Sequence, residues 1–357
     1  MQEYSFDLTT IGATVEVYSA WQPYADRGLK LGRVSIVHRD QYRLYTADGE
    51  MKAAAIGALL YRAANASELP AVGDWVAVQP TGPDEAMIHA VLPRRTAFSR
   101  RAAGEREQEQ MIAANVDLAL IVCGLDHDFN PRRIERYLTL ARQSGADAAI
   151  VLNKADLCAD PETRAAEVIR IAGKAPVVVT CARSAEGIEP IRGLIGRGRT
   201  VALLGSSGTG KSTLVNQLLG QPRQPVQEVR ESDSRGRHTT TYRELIPLPN
   251  GGALIDTPGM RELGLWAGSA SVDSAFSDVT ELALECRFRN CAHGVEAGCA
   301  VQAAILAGKL DPERWRNYQK LHAELAWQER KNDLTAALAE KQRWKKIHKA
   351  MRSPKRW

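Results

Sequence analysis

What this 357-residue sequence lacks is informative first. No run of eighteen apolar residues occurs, so no helix predicted from it can span a bilayer. Its opening residues, MQEYSFDLTT, carry neither a basic start nor an apolar stretch, which argues against a secretory leader. No internal repeat stands out, so a solenoid is not indicated. Cysteines number only six, too few for a disulfide framework in a chain of this size. Three of them crowd between positions 286 and 299, a clustering that suits a metal site in a reducing compartment. A cytoplasmic protein is the expectation, with no membrane partner.

What is present is ordinary in amount and uneven in placement. At 44% hydrophobic and 25% charged, the composition is that of a globular protein, long enough for two or three domains. The net charge is only +5, yet the stretch from Lys309 to Trp357 holds 14 Lys and Arg against 6 Asp and Glu. A basic end on a slightly acidic body suggests a polyanionic partner.

Between residues 30 and 93, short β-type runs alternate with turn signals. The runs begin at Gly32, Tyr42, Asp74 and Met87; Asp48-Gly49 and Gly73-Asp74 punctuate them. This spacing predicts a small β-barrel. The polar stretch Arg94–Gln110 has no period and reads as a linker. Beyond it, apolar strands at Val116–Cys123, Ala148–Leu152, Val177–Thr180, Val201–Leu204 and Ala253–Ile255 alternate with helical segments such as Pro131–Arg142 and Pro161–Ala172. That alternation predicts a parallel sheet covered on both faces. From Cys286 onward short loops precede a long helical stretch, opened by Asp311-Pro312-Glu313.

Three motifs lie at strand ends. Gly205, Ser206, Ser207, Gly208, Thr209, Gly210, Lys211 and Ser212 form a phosphate loop after the strand Thr200–Leu204, and Thr213 begins the helix behind it. Its backbone N–H groups would cradle phosphates, Lys211 would reach the β- and γ-phosphates, and the Ser212 hydroxyl would ligate Mg²⁺. Asn153-Lys154-Ala155-Asp156 follows the strand Ala148–Leu152. The Asp156 carboxylate can accept two hydrogen bonds from guanine but would face a lone pair on adenine, which favours GTP and GDP over ATP. Asp256-Thr257-Pro258-Gly259 follows a third strand, with Asp256 placed to hold Mg²⁺ through water and the Gly259 N–H to sense the γ-phosphate. Cys181-Ala182 would complete the guanine contacts.

The order of these motifs is unusual, because the guanine motif precedes the phosphate loop. This predicts a circularly permuted GTPase domain. Met260 stands where Ras-like enzymes place a water-orienting Gln, and a thioether cannot orient water. His238, in Gly236-Arg237-His238-Thr239-Thr240-Thr241, is the substitute, and Thr240 is the favoured threonine for the Mg²⁺ shell. Slow intrinsic turnover that waits for a partner is the consequence. Cys286, Cys291, His293 and Cys299 offer three thiolates and one imidazole, a closed tetrahedral set for one structural Zn²⁺. The tail Lys341–Trp357 carries eight Lys and Arg, no acid, and Trp344 and Trp357, a composition suited to RNA.

This combination resembles one family, the ribosome small-subunit-dependent GTPases of the RsgA (YjeQ) type. The likeness runs from about Gly32 into the helical tail, on Gly73-Asp74-Trp75-Val76, Asn153–Asp156, Gly205–Gly208, Gly236–Thr241, Asp256–Gly259 and the Cys/Cys/His/Cys loop. It implies a multidomain architecture: an N-terminal OB-fold, a central circularly permuted P-loop GTPase and a C-terminal helical zinc-binding domain. The corresponding segments are 1–29 as an extension, 30–95, a linker over 96–110, 111–268 and 269–357. It also implies GTP hydrolysis late in maturation of the 30S subunit, contact with 16S rRNA and a catalytic role for His238; a monomer is the expectation, since nothing in the sequence suggests a large self-association surface. Cys181 departs from the family's usual Ser, with little harm expected because that loop meets the base through backbone. The competing readings are a P-loop ATPase or kinase, and an RNA-binding zinc protein that senses GTP without turning it over.

Overall fold

The computed structural model describes residues 6–38, 41–101, 109–222, 243–256, 270–294 and 296–327. The chain divides into two compact units, Met1–Gly264 and Leu265–Trp357.

After a 3-10 turn at Leu8–Ile11 comes helix α1 (Val15–Ala25), followed by strands β1 (Lys30–His38), β2 (Gln41–Thr46) and β3 (Gly49–Ala55). The short helix α2 (Gly57–Arg62) then leads to β4 (Trp75–Pro80) and β5 (Glu85–Val91). Hydrogen bonding runs β1–β2–β3–β5–β4 and back to β1, so the five strands close on themselves. Closure leaves the barrel no free edge and gives it a core of its own around Val34, Leu44, Val76, Val78 and Ile88, all fully buried. Strand β3 has no counterpart among the runs recognised in the sequence. Its alanines, glutamate and lysine favour helix locally, and pairing with β2 and β5 overrides that preference.

The Gly73-Asp74-Trp75 motif is a structural joint. Gly73 has φ +91°, and a Cβ there would lie 2.2 Å from the Ala114 carbonyl oxygen. The buried Asp74 carboxylate takes both arms of Arg94 at 2.7 Å. Trp75 stacks under the guanidinium of Arg33, 4.9 Å from the ring centre. Arg33 is itself buried and donates to the carbonyls of Gly73 and Asn115, with burial lowering its pKa to about 9.

The stretch read as a linker is ordered at its flanks. Strands β6 (Ala97–Arg101) and β7 (Glu109–Ala114) pair antiparallel, and Phe98, Ile112 and Ala113 are buried, so tertiary burial supplies the order that the polar composition did not suggest. Next come β8 (Leu118–Gly124), α3 (Pro131–Ser144), β9 (Asp147–Asn153), α4 (Pro161–Ala172), β10 (Val177–Val179) and α5 (Ile188–Ile195). The first unit ends with β11 (Thr200–Leu204), α6 (Lys211–Leu219), β12 (Glu244–Pro247) and β13 (Ala253–Asp256).

In space the strands run β10–β9–β8–β11–β13–β12, parallel except for β12. The phosphate-loop strand β11 is thus central, although three strands of its sheet precede it in the chain. Residues 196–199 join α5 to β11, a short link that makes the permuted order possible. Strand β12 also bridges to β1 of the barrel, so barrel and nucleotide sheet form one continuous sheet.

The second unit contains α7 (Ala270–Ala275), α8 (Ser277–Leu284), α9 (Ala300–Leu306) and a helical stretch over 312–327. Arg314 ties that stretch to α8 through both oxygens of Asp278, and Tyr318 and His322 both meet Asp273 on α7 at 2.9 Å. Among the described residues no helix is long and apolar enough to cross a membrane.

Candidate functional site

In a doubly wound sheet, ligands sit beyond the carboxyl ends of the strands. The ends of β9, β11 and β13 carry Asn153, Gly205 and Asp256 to one edge, and the turn after β10 brings Cys181 and Ala182 alongside. Gly205 has φ +148°, and a Cβ there would approach the Val122 carbonyl oxygen to 2.3 Å. Only glycine allows the loop to leave the strand so closely. Gly210 has φ +88°, and its missing Cβ would strike Asn153 Nδ2 at 2.2 Å.

Asn153 explains that close approach. Its Nδ2 donates to the Thr209 carbonyl at 2.9 Å, and its Oδ1 accepts from the Ala182 N–H at 3.0 Å. One buried side chain therefore joins the phosphate loop to the turn holding Cys181 and Ala182. Lys211 Nζ donates to the carbonyls of Gly205, at 2.9 Å, and Ser206. Ser212 and Thr213 lie half-buried in the first turn of α6, while Ser207 and Gly208 are exposed at the loop's crest.

Lys154 has φ +64° and pairs with Asp126 at 2.6 Å. Burial raises the Asp126 pKa, but the Lys154 ammonium and the Asp128 N–H outweigh it and hold the carboxylate below its ordinary range. Asp156 accepts a hydrogen bond from the Cys181 thiol at 3.1 Å. The Cys181 side chain is thus engaged with the very carboxylate assigned to guanine, a contact the sequence reading did not include. His238, Thr240, Gly259 and Met260 lie outside the described residues.

Asp126, Asp128 and Arg133 were not singled out in the sequence. The available signal was position: they follow the carboxyl end of β8, in the loop and the first turn of α3 at the same sheet edge. Arg133 donates to Asp128 and to Ser206 Oγ, both at 2.6 Å. By contrast, a cavity of about 440 Å³ lined by Arg95, Asp117, Asp147 and Arg199 lies at the amino ends of β8, β9 and β11. Its arginines are already paired, Arg95 with Asp117 and Arg199 with Asp147, so it carries no comparable chemistry.

In the second unit, Cys286, Cys291, His293 and Cys299 place their ligand atoms within 4.8 Å of one another. Sulfur–sulfur and sulfur–nitrogen separations around a tetrahedral Zn²⁺ are about 3.8 and 3.5 Å, from bond lengths of about 2.3 and 2.0 Å. The pair Cys286–Cys299 is 3.9 Å apart, and His293 Nδ1 lies 3.4 and 3.6 Å from their sulfurs. The donor set fits the ion. Its surroundings fit as well: the N–H groups of Ala300 and Gln302 point at the sulfurs of Cys286 and Cys299, as negative thiolates require. Burial, with smaller contributions from the Cys299 and Cys286 thiols, pushes the Cys291 thiol up to about 11, and a bound dication would oppose that shift.

Residues 91–266 match the family model described as RsgA GTPase. A protein of Opitutus terrae named small ribosomal subunit biogenesis GTPase RsgA is 48% identical over 98% of both chains. The chain belongs to the RsgA GTPase family. A Leptospira interrogans RsgA is 42% identical over 92% of each chain, and one from Xylella fastidiosa strain 9a5c is 49% identical over 88%. Among solved structures, YjeQ from Thermotoga maritima superposes with a TM-score of 0.63 at 24% identity, covering 84% of this chain and 99% of that one. YloQ, described as a circularly permuted GTPase, gives 0.60 at 22%, covering 84% and 96%. The permuted order and the barrel expected from the sequence are therefore those of the RsgA fold, and the chain is a GTPase.

Proposed function

We propose that this chain hydrolyses GTP to GDP and phosphate while engaged with the 30S ribosomal subunit late in its maturation. The relatives' shared name supports the ribosomal part, and one observation carries the nucleotide part. Asn153 binds the phosphate loop and the Cys181–Ala182 turn into a single frame, with Asp156 beside it. In that frame Asp156 reads guanine, with Cys181 and Ala182 closing over the base, while Asn153 and Lys154 support them. Gly205 to Thr213 hold the phosphates, Lys211 offsets their charge, and Ser212, Asp256 and Thr240 would hold Mg²⁺, which neutralises developing charge between the phosphates. Gly259 senses the γ-phosphate and His238 orients the attacking water.

The four Cys and His ligands hold one structural Zn²⁺ in a domain spanning 269–357, with a GTPase domain over 111–268 and an OB-fold over 30–95. The factor works as a cytoplasmic monomer on 16S rRNA, a partner favoured by the basic tail. The test is GTP turnover with purified 30S, 50S and 70S particles. Stimulation confined to particles containing the small subunit is expected; if no particle accelerates turnover, the ribosomal assignment falls.

A further inference from the structure

Helix α3 begins against its own electrostatics. The first turn of a helix favours acidic side chains, yet Arg132 and Arg133 occupy it and no acid does. Each has a specific reason to be there. Arg132 pairs with the buried Glu135 one turn on. Arg133 turns instead toward the nucleotide edge, where one nitrogen, Nη1, donates both to Asp128 and to the hydroxyl of Ser206, 73 positions away. Asp128 holds this guanidinium above its already high pKa, so it stays charged under all working conditions.

Ser206 is where the phosphate loop is fastened. Its carbonyl accepts from Lys211 Nζ and from Thr209 Oγ1, and its hydroxyl accepts from Arg133. Were Lys211 to leave the Gly205 and Ser206 carbonyls for nucleotide phosphates, Ser206 would lose that fastening. Arg133, rooted in α3 and held by Asp128, does not depend on it.

We propose that Arg133 is a positioning residue for hydrolysis, one that keeps Ser206 and its stretch of the phosphate loop in place while Lys211 engages the phosphates. This rests on the reading of the site as a GTP hydrolase. Misplacing groups around a reacting phosphate by about 1 Å costs up to about a hundredfold in rate. Loss of the anchor therefore falls mainly on kcat.

The experiment compares the wild type with Arg133→Ala, Arg133→Lys, Ser206→Ala and the double variant R133A/S206A, all as full chains. Each is assayed for GTP turnover over a range of GTP, for GDP affinity and for thermal stability. Expected is a tenfold or greater fall in kcat for both alanine variants, with KM and GDP affinity within about threefold. Arg133→Lys recovers part of the rate, because both hydrogen bonds leave from one nitrogen. The double variant is no slower than the slower single one, because both remove the same contact. The proposal is overturned if Ser206→Ala keeps the wild-type kcat, if the two losses multiply, or if the loss appears as weaker GDP binding with kcat unchanged. A wild type without turnover even in the presence of 30S particles overturns the hydrolase reading together with it; normal wild-type turnover matched by Arg133→Ala overturns this proposal alone.

Discussion

Replacing Asn153 by Ala isolates the joint on which the nucleotide site depends. The side chain is 2% exposed, and its two partners belong to Thr209 and Ala182, at 2% and 1%. Removing the amide leaves the Thr209 carbonyl and the Ala182 N–H without their hydrogen bonds in a dry region. An orphaned buried group costs about 1–3 kcal/mol, so the pair costs about 2–6 kcal/mol before relaxation. Water entering the vacated volume returns part of this. A remainder of about 2 kcal/mol, spent on rebuilding the frame when nucleotide binds, weakens GDP about thirtyfold at 1.4 kcal/mol per factor of ten. Asn153→Asp tests the same geometry differently: it can still accept from Ala182 but sets oxygen against the Thr209 carbonyl oxygen. It is expected to be at least as damaging. The assay is a titration with a fluorescent GDP analogue, alongside thermal unfolding of the same samples. Binding within threefold of wild type in both variants, with unchanged melting, refutes the bridging argument.

Four further outcomes are expected. Asp156→Asn exchanges a guanine-accepting carboxylate for an amide, so affinity moves from GTP toward xanthosine triphosphate; unchanged preference between the two in competition binding defeats the guanine assignment. Removing the Cys181 thiol with Ala costs GDP affinity about fivefold, the worth of one hydrogen bond of about 1 kcal/mol, while Cys181→Ser keeps it. Cys291→Ser lowers metal content from the expected one Zn²⁺ per chain, measured by atomic emission; undiminished stoichiometry eliminates the site. Asp126 has a folded pKa below its unfolded one, so its contribution is complete above about pH 4 and fades as pH falls further. Asp126→Asn should therefore flatten the acid limb of the stability profile, and an unaltered limb in acid titrations followed by circular dichroism counts against the Lys154 pairing.

Much of the site was legible because its chemistry is local. A phosphate loop needs glycines at fixed spacing, and Gly205 and Gly210 show why: each lacks a Cβ that would meet Val122 or Asn153. The four Cys and His residues of the proposed zinc set lie within fourteen residues, so sequence spacing alone constrained them. Arg133 was not legible, since nothing in the residues around it indicates that Ser206 would arrive beside it. The order at the flanks of 96–110 is hidden for a related reason: polar composition describes the residues near Arg100, whereas Phe98 and Ile112 find their burial in other segments. Strand β3 was hidden by helix-favouring alanines until neighbours paired with it on both sides.

By itself, then, the order of motifs along the chain determined guanine chemistry and a permuted domain, because those depend on residue type and sequence order. Only the tertiary structure decided which groups Asn153, Cys181 and Arg133 touch. Each acts on a partner at least 25 residues away, and only the sheet brings their separate loops to a common edge. The same sheet joins barrel to nucleotide domain through β1 and β12, a union that no local pattern encodes.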